Sequence, residues 1–455
     1  MKALYNKILQ KITPSKKEIL EEQILVGKIR EQIDHLKGKH SHLEWCGSSA
    51  RGTHLHGDRD LDLFIMFDKA MPGEELEKEG LRIAKKIFKG HTWELAYSQH
   101  PYIRGEIKGF EVELVPSYIV SSGAEKQSAV DRTPFHNKYL LKKLNDEKKQ
   151  EARLIKQFLK GINAYGADLK NCSLPGYGAE LLIVKYGSFD NAIKAISKWK
   201  KEEIITFSNQ TEETAKKLFE KDHYPLILID PVDNSRNVAS ALSSEQYERI
   251  IYATQEFIKK PSEKFFFPKT TKPMPRKKIL EILKKKELIA VHAHFPKNEL
   301  SDIIWGQLRR FEKKIKNHLK INDFNVSQSG TWSDENEVIF MFELETLTLQ
   351  KTKKIIGPMA NDEENTKKFL AKKRKIISGP RIEDGRMVIE IERDEVRAHK
   401  VLEEFIKLER KEEKKAIKKM LKKATVLSEA QIIKHYKGKF ASHLTNYLKG
   451  KEVFE

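Results

Sequence analysis

The chain has 455 residues, and 39% of them are hydrophobic, which is enough to build a core in each of several domains of ordinary size. Lysine and arginine (86) exceed aspartate and glutamate (66), and the net charge of +20 predicts a polyanionic partner without specifying which one. The two cysteines, Cys46 and Cys172, exclude a disulfide framework and a zinc–cysteine cluster, and no apolar run approaches the 18 residues of a membrane span, so we expect a cytoplasmic protein with no membrane partner and no signal peptide.

The first elements end at a turn that suits phosphate. Residues 1 to about 38 are predicted as charged amphipathic helix, with a helix start at Pro14-Ser15. His42 to Cys46 is predicted as a short strand, and the residues after Gly47-Ser48 can open a helix. A helix start offers backbone N–H groups and the positive end of its dipole to a phosphate, and Arg51 adds a fixed charge. Ser48 and Arg51 are therefore candidate phosphate ligands.

Two carboxylates follow at the start of an apolar run. Asp60 and Asp62 stand two residues apart, and Leu61 to Phe67 is predicted as a strand, so both carboxylates lie on one face. Such a pair can hold a divalent metal. Alone, a Gly-Ser turn or an Asp-x-Asp pattern is more often structural, but in this order and at this spacing the two favour a catalytic site.

The strands that follow supply a third acid. Glu75 to Lys89 has helical spacing, and Trp93 to Tyr102 and Ile103 to Val120 are predicted as strands of the same sheet. Glu111 and Glu113 share one face of the second strand. Two metal ions need more than two protein carboxylates, so either glutamate is a candidate ligand. The structural alternative is an exposed edge strand with polar alternation.

The middle of the chain offers further candidates. His136 stands where the chain leaves the predicted sheet, and a single histidine is more often a satisfied polar residue. Glu151 to Asn163 is predicted as a helix whose polar face includes Lys156. If this helix overhangs the cleft, Lys156 reaches a triphosphate and Tyr165 hydrogen bonds beside it. If it does not, the charged face is simply solvated.

An apolar helix at Ala179 to Tyr186 precedes a short apolar segment that ends at Asp230. Asp233 and Arg236 follow that segment, at the predicted start of another helix. Arg236 either donates to a base edge through its planar fork or forms a helix-start salt bridge with Asp230 or Asp233.

Beyond a boundary at Lys259 to Pro275 the pattern predicts a small α+β unit. Its elements are strand Leu288 to Phe295, helix Leu300 to Leu319, strands Phe324 to Trp332 and Glu337 to Leu344, and lysine-dense helical stretches at Lys367 to Lys375 and Arg410 to Lys423. His292 and His294 share a strand face at a spacing found in metal sites, but no third ligand lies near them in the sequence, which favours a structural role.

Four segments carry a family resemblance. They are GSSARGTHLHGDRDLD at 47–62, EVELVPSY at 111–118, RLIKQFLKGINAYGA at 153–167 and DPVDNSRNVA at 230–239. The first two resemble the nucleotidyltransferase superfamily that includes DNA polymerase beta. The last two, in this order and spacing, resemble the archaeal (class I) CCA-adding enzymes, the tRNA nucleotidyltransferases.

The resemblance implies an α+β fold in four parts. We expect a polymerase-beta-like catalytic domain of sheet and helices at 1–144 and a helical central nucleotide-binding domain at 145–258. A C-terminal RNA-binding domain would comprise 259–300 and 386–455, and a tail domain at 301–385 would contact tRNA.

The resemblance also implies an activity and its site. The activity is template-independent addition and repair of the tRNA 3′ CCA end from CTP and ATP, with release of pyrophosphate. In such an enzyme Asp60, Asp62 and Glu113 hold two Mg²⁺ ions. Ser48, Arg51, Lys156 and Tyr165 cradle the triphosphate, and His136 and Arg236 place the nucleotide. The partners would be the acceptor stem and T arm of tRNA, and a second copy of the chain in a homodimer.

Two acids depart from the family pattern. The third carboxylate is commonly aspartate and is glutamate here, and the first acid of the pair, often glutamate in the archaeal group, is Asp60. We prefer Glu113 over Glu111 as the third ligand because it stands three residues before Pro116, as the family's ligand does.

Two other hypotheses remain open at this point. The chain could resemble the poly(A) polymerases or the oligoadenylate synthetases, which share the cleft; acceptance of CTP and termination after three additions would exclude both. It could also be an RNA-binding protein with a disused nucleotide site, which would bind nucleotide without turnover.

Overall fold

Two units make up the chain in the computed structural model, Met1–Lys269 with Glu452–Glu455 and Thr270–Lys451. The structure describes residues 1–36, 38–97, 100–207, 211–296, 301–413 and 415–455.

The first unit begins with a sheet-and-helix part and continues into a mainly helical part. The elements of the first part are α1 Lys2–Ile12, α2 Lys16–Asp34, β1 His40–Cys46, α3 Gly47–Arg51, β2 Asp60–Asp68, α4 Gly73–Ile87, β3 Trp93–Tyr97, β4 Pro101–Ile107 and β5 Phe110–Ile119. Those of the second are α5 Thr133–Lys143, α6 Asp146–Gly161, α7 Gly176–Tyr186, α8 Phe189–Ile196, β6 Glu203–Ile205, α9 Glu212–Leu218, β7 Leu226–Asp230, β8 Asp233–Asn237 and α10 Ser244–Lys259.

One five-stranded sheet organises the first part, in the order β1-β2-β5-β4-β3. Strands β2 and β5 are parallel, and the other neighbours are antiparallel. Leu61, Leu63, Ile65 and Phe67 alternate along β2 and are buried with apolar residues of α2 and α4. Because side chains alternate across a strand, Asp60 and Asp62 stand on the opposite face, away from this core.

The predicted N-terminal helix is two helices. Its predicted start signal is confirmed, since Ser15 caps α2 by accepting a hydrogen bond from the backbone N–H of Glu18, and the Glu18 carboxylate accepts from the Ser15 N–H. This capping box orients the first turn of α2 and separates it from α1.

The predicted pair of strands at 93–120 is three strands. The chain turns at Lys108 and Gly109, both with positive φ (53° and 77°), and the turn divides the second predicted strand into β4 and β5. Ser98 and Gln99, within the first predicted strand, lie outside the described residues.

The helical part has its own core, in which α1, α6, α7, α8 and α10 bury their apolar faces together. The predicted helix at 151–163 begins earlier, as α6, because Asn145 accepts a hydrogen bond from Lys148 N–H at 3.0 Å and Asp146 and Glu147 favour the first turn.

The element after the apolar segment was wrongly predicted as a helix. Asp233 and Arg236 lie on strand β8, which turns back antiparallel to β7. Asn237 fixes the hairpin, because its side chain accepts from Leu228 N–H and donates to the Leu226 carbonyl, both at 2.9 Å.

The second unit is built on a sheet in the order β10-β11-β9-β15, with a three-stranded sheet β12-β14-β13 beside it in the chain. Its elements are α11 Arg276–Leu283, β9 Glu287–His294, α12 Ser301–Ile321, β10 Val326–Ser333, β11 Glu337–Leu344, β12 Thr352–Met359, α13 Glu363–Ala371, β13 Ile376–Glu383, β14 Arg386–Glu392, α14 Ala398–Glu412, α15 Lys415–Leu421, β15 Thr425–Leu427, α16 Glu429–His435 and α17 Gly438–Lys449.

Helices cover both faces of the larger sheet. Apolar residues of α12, α14 and α15 form the core on one face, and those of α11, α16 and α17 form the core on the other. The predicted strand-helix-strand-strand order is therefore observed as β9-α12-β10-β11; Leu300, the predicted first residue of the helix, lies outside the described residues. Across the described ranges, none of the helices combines the length and apolar character that a bilayer crossing requires.

Candidate active site

Four carboxylates form a block on the open face of the first sheet. In the parallel pairing of β2 with β5, Asp60 stands opposite Glu111 and Asp62 opposite Glu113. The residues between them, such as Leu61 and Val112, are buried on the other face. The predicted convergence of acids from two strands is thus present, and it includes both candidate glutamates.

The pKa values of Asp60, Asp62 and Glu113 are raised above those of ordinary carboxyl groups. Burial, with Asp58, Glu111 and Asp62 nearby, raises the pKa of Asp60 to about 6. Burial and the charge of Asp62 raise the pKa of Glu113 to about 7, and burial raises the pKa of Asp62 against the attraction of Arg51. Crowded carboxylates whose charges repel one another are the donor set that hard divalent cations bind, so the residues fit such a metal.

The turn after β1 is fitted closely to this block. Gly47 has φ of +77°, and a Cβ built on it would lie 1.7 Å from Oδ2 of Asp62. The Ser49 hydroxyl accepts from Trp45 Nε1–H and donates to the Asp60 carbonyl, each at 3.1 Å. The turn that contains half-buried Ser48 is therefore fixed directly to the strand that carries the acids.

Arg51 and Lys156, the two predicted triphosphate ligands, meet at a carboxylate that the sequence analysis did not single out. Glu180 of α7 is fully buried, and its two oxygens accept from Arg51 Nη2 and Lys156 Nζ, each at 2.8 Å. Thr53 also donates to Glu180. Lys156 is only 1% exposed, and its ammonium also contacts the Thr53 carbonyl and hydroxyl at 3.2 Å.

This arrangement holds two cations on one anion. Burial alone would raise the pKa of Glu180, but Arg51 and Lys156 lower it overall, so the carboxylate is ionised. Burial lowers the pKa of Lys156, and the pairing with Glu180 opposes that change. With both cations charged, the trio has a net charge of +1 beside the acid block. The predicted solvated alternative for Lys156 is wrong, because the side chain is buried.

His136 and Arg236 meet at a second buried carboxylate, Asp230, at the end of β7. His136 Nε2 lies 2.7 Å from Asp230 Oδ2, and Arg236 Nη1 donates to the same oxygen at 2.9 Å. Tyr177 donates to Oδ1 at 3.1 Å, and its ring lies 4.1 Å from that of His136. Burial would raise the pKa of Asp230, but His136 and Arg236 lower it.

Tyr165 lies against Gly176, the first residue of α7. A Cβ on Gly176 would come within 2.5 Å of the Tyr165 hydroxyl oxygen, and the Lys160 ammonium lies 5.3 Å from the ring centroid. Burial raises the pKa of Tyr165, so its hydroxyl keeps its proton and can donate a hydrogen bond.

Two charged residues of this site, Glu180 and Asp230, were missed as functional residues, although Asp230 was considered as a partner of Arg236. Each left a signal in the sequence. Glu180 is the only acid in the apolar helix that was predicted at 179–186, and Asp230 ends a run of four apolar residues. Both are 0% exposed, and an acid in such a position needs a cationic partner.

An open cavity of about 610 Å³ adjoins the acid block on the side of Asp60 and Glu111. Arg59, Arg104 and Trp93 also line it, and Trp93 is 43% exposed. Glu94, which pairs with Arg104, and Glu106 line it as well, so the acids of the lining outnumber its arginines. The exposed indole of Trp93 offers a surface on which a base can stack.

Family models match three successive regions of the chain. Residues 26–136 match the model of the nucleotidyltransferase domain, residues 150–267 that of the second domain of tRNA nucleotidyltransferase, and residues 286–429 that of the C-terminal domain of the CCA-adding enzyme. The first model covers the acid block, and the second covers Lys156, Glu180 and Asp230.

Curated relatives extend over most of the chain. A CCA-adding enzyme of Methanosarcina mazei is 35% identical over 407 residues, which is 87% of this chain and 87% of the relative. The CCA-adding enzyme of Methanocaldococcus jannaschii is 36% identical over 389 residues, which is 82% of this chain and 84% of the relative. That of Saccharolobus shibatae is 34% identical over 401 residues, which is 88% of this chain and 91% of the relative.

Among solved structures, a poly(U) polymerase is similar at 16% identity with a TM-score of 0.45, over 57% of this chain and 94% of that one. This likeness is too weak to distinguish one activity from another.

Proposed function

The chain belongs to the family of CCA-adding enzymes, and on this basis we propose that it adds and repairs the 3′-terminal CCA of tRNA without a template, from CTP and ATP, with release of pyrophosphate. The observation that carries the proposal is the pairing of Asp62 with Glu113 on adjacent parallel strands, beside Asp60. Nucleotidyl transfer through a divalent metal needs such a set of acids.

Enzymes with this domain generally depend on a divalent metal, and we place two Mg²⁺ ions on Asp60, Asp62 and Glu113. When bound, the ions lower the pKa of the RNA 3′ hydroxyl and stabilise charge on the α-phosphate and the leaving pyrophosphate. The raised pKa values of Asp60 and Glu113 support the assignment, because a bound cation offsets the burial and the mutual repulsion that raise them. Glu111 is exposed and stands opposite Asp60, and we do not assign it as a metal ligand.

The triphosphate is assigned to Ser48, Arg51, Lys156 and Tyr165. Arg51 and Lys156 share one buried carboxylate, so their trio with Glu180 keeps a positive charge that attracts phosphate. A direct contact from Lys156 requires that phosphate oxygens replace Thr53 or Glu180 as acceptors, since its ammonium is engaged by those groups. Glu180 therefore positions both cations before the nucleotide arrives.

Placement of the nucleotide is assigned to His136 and Arg236. Both side chains are held by Asp230. The bond to Asp230 uses one N–H of Arg236, and the other N–H groups of the guanidinium can donate to a base edge. The ring of Tyr177 beside His136 restricts the orientation of the imidazole.

We assign tRNA binding to the second unit. The four predicted domains remain our proposal, and truncations at their boundaries test them. The acceptor stem and T arm are A-form helices, which proteins recognise by shape and by phosphate and 2′-hydroxyl contacts. The excess of lysine and arginine supports this assignment. A homodimer and a cytoplasmic location complete the proposal, and light scattering on the purified protein measures the oligomeric state.

The experiment that tests the proposal uses a tRNA transcript that ends before CCA. The purified chain is incubated with it, labelled CTP and ATP, with Mg²⁺ or with EDTA, beside the Asp60→Ala/Asp62→Ala variant. We expect incorporation by the wild type with Mg²⁺ only, and none by the variant. Incorporation by the variant at the wild-type rate would show that Asp60 and Asp62 are not needed for catalysis, and would contradict their assignment as metal ligands.

A further inference from the structure

A second cluster of potential metal ligands lies in the second unit, at one end of strands β9 and β11. His292 is on β9, Glu337 is the first residue of β11, and His435 is the last residue of α16. One ligand atom from each residue lies within 4.8 Å of the other two. Each of the three comes from a different element, and the last is far away in the sequence.

The sheet places two of these ligands on the same face. In the antiparallel pairing of β9 with β11, Ile339 stands opposite His292 and Glu337 opposite His294. Because side chains alternate, His292, Glu337 and Ile339 all face the layer formed by α11, α16 and α17. Ile339, Ile432 and Ile433 belong to the apolar core of that layer.

The end of α16 supplies the third ligand. The ring centroid of His435 lies 4.4 Å from that of His292, where the apolar layer ends. The ring centroid of His294 lies 5.5 Å from that of His292 on the more exposed side. In the sequence, His292 and His294 have no third ligand near them, whereas the fold brings His435 and Glu337 to His292.

The His292 imidazole is the central group of the cluster. It is only 9% exposed, and its Nε2 is buried without a hydrogen-bond partner among the residues that the structure describes. The nearest carboxylate oxygen, Oε1 of Glu337, is 3.6 Å away, which is too long for a hydrogen bond. A buried ring nitrogen without a partner is unfavourable, and a bound metal ion would satisfy it.

Neighbouring groups favour the neutral form of this imidazole. Burial, then the nearby His435 and His294, lower its pKa against the attraction of Glu337. A neutral imidazole has a lone pair available for a metal ion, whereas a protonated one does not.

We propose that His292, Glu337 and His435 form a binding site for a transition-metal ion, with Zn²⁺ as the ion that it fits best. Two imidazoles and one carboxylate are a common set of three protein ligands for zinc. Zinc–ligand bonds of about 2.0–2.2 Å in a tetrahedron place the ligand atoms roughly 3.4 Å apart. The 3.6 Å between His292 Nε2 and Glu337 Oε1 is close to that spacing, so only small side-chain movements are needed.

The fourth position is open to water. The site differs in chemistry from the acid block of the first unit, since Mg²⁺ prefers oxygen ligands and imidazole suits zinc, copper and nickel. A bound ion would connect β9, β11 and α16, and would thereby hold the C-terminal helices on the sheet. An ion bound there would stabilise the second unit by mass action.

The test uses the full chain without an affinity tag, in the Asp60→Ala/Asp62→Ala background, so that the acid block does not bind the probe. The probe is Co²⁺, whose visible absorption reports four- or five-coordinate nitrogen and oxygen ligation, followed by displacement with Zn²⁺. We expect one equivalent to bind, with loss of the absorption in His435→Ala and in Glu337→Gln. His399→Ala, which alters a half-buried histidine of α14 in the same unit, is the matched control and should bind as the parent does.

Thermal unfolding provides a second readout. Zn²⁺ should raise the Tm of the parent and of His399→Ala, and should leave the Tm of Glu337→Gln unchanged. Metal-free circular dichroism spectra show whether each variant is folded, and if His435→Ala is not, Glu337→Gln decides the outcome. Absence of Co²⁺ absorption in the parent, or binding that is equal in parent and Glu337→Gln, would overturn the proposal.

Discussion

Gly47 lies against the carboxylate of Asp62 with no room for a side chain between them. A Cβ built on Gly47 would be 1.7 Å from Oδ2 and 2.7 Å from Cγ of Asp62, and the backbone there has φ of +77°. Glycine is therefore required at this position for two reasons: it adopts the positive φ of the turn, and it leaves room for the Asp62 carboxylate. The turn to which we assign phosphate binding and the acids to which we assign the metal are one structural unit, because Gly47 cannot move toward Asp62 without displacing it.

We expect Gly47→Ala to reduce nucleotide incorporation by roughly a hundredfold or more, because the methyl group must displace Asp62. Gly90→Ala is the matched control: it has a similar φ of +85°, but nothing lies within 4 Å of its Cβ position. The control should lose about 1 kcal/mol of stability and keep its activity. Equal activity losses would mean that backbone strain, and not contact with Asp62, is responsible.

The two glutamates of β5 should behave differently. Glu113→Gln should lower incorporation by roughly a thousandfold or more, and Glu111→Gln by less than about threefold. The reason is that Glu113 stands opposite Asp62 and is half-buried, whereas Glu111 stands opposite Asp60 and is exposed. Single-turnover rates at saturating Mg²⁺ measure both. If the two losses are equal, the choice of Glu113 over Glu111 as the third metal ligand is incorrect.

Removal of the Glu180 charge should destabilise the protein. Glu180→Gln leaves Arg51 and Lys156 without their shared anion, and breaking such a buried pair costs about 3–5 kcal/mol. CTP should restore part of this loss, because its triphosphate supplies negative charge at the same place. Thermal unfolding with and without CTP should thus show a larger shift for Glu180→Gln than for the wild type. Glu147→Gln, on the exposed first turn of α6, should match the wild type in both conditions.

The raised pKa of Glu113 predicts how stability depends on pH in the absence of metal. The folded chain holds this proton up to pH of about 7, whereas a free glutamate loses it near 4.5, so rising pH within this window destabilises the metal-free fold. In EDTA, Glu113→Gln should exceed the wild type in stability by on the order of 1–3 kcal/mol at pH 8, and the difference should shrink toward pH 4.

Mg²⁺ should reverse this order at pH 8 by stabilising the wild type alone. Glu106→Gln, an exposed acid on β4, is the control and should show no such dependence. Urea unfolding at several pH values measures the free energies. A wild type that is more stable than Glu113→Gln in EDTA at pH 8 would contradict the predicted direction.

Local patterns predicted the acid block because its parts are close in sequence. Asp60 and Asp62 are two residues apart in a strand, and alternation alone puts them on one face. The pairing of Asp62 with Glu113 needed only that two apolar runs form neighbouring strands. The capping box at Ser15 and Glu18 was likewise readable, since both partners lie within one helical turn.

Contacts between distant residues could not be predicted in this way. Arg51 and Glu180 are 129 residues apart. A solvated face of α6 stayed a possible alternative in the sequence, because the partner of Lys156 lies on another helix. His435 was not connected with His292, since α16 meets β9 only in the folded sheet. The hairpin of β7 and β8 was mistaken for a helix start because the side-chain bonds of Asn237 that fix it are not visible in a charge pattern.

The most direct measurement follows nucleotide addition to three tRNA transcripts, which end before CCA, after C and after CC, with CTP, ATP and Mg²⁺, and sequences the products. We expect each transcript to gain only its missing nucleotides, to end in CCA and to be extended no further, and we expect Asp60→Ala/Asp62→Ala to add none. Runs of A without a stop would indicate a poly(A)-polymerase-like or oligoadenylate-synthetase-like activity. Tight tRNA binding without any addition would contradict the enzymatic assignment and leave an RNA-binding protein with a disused nucleotide site.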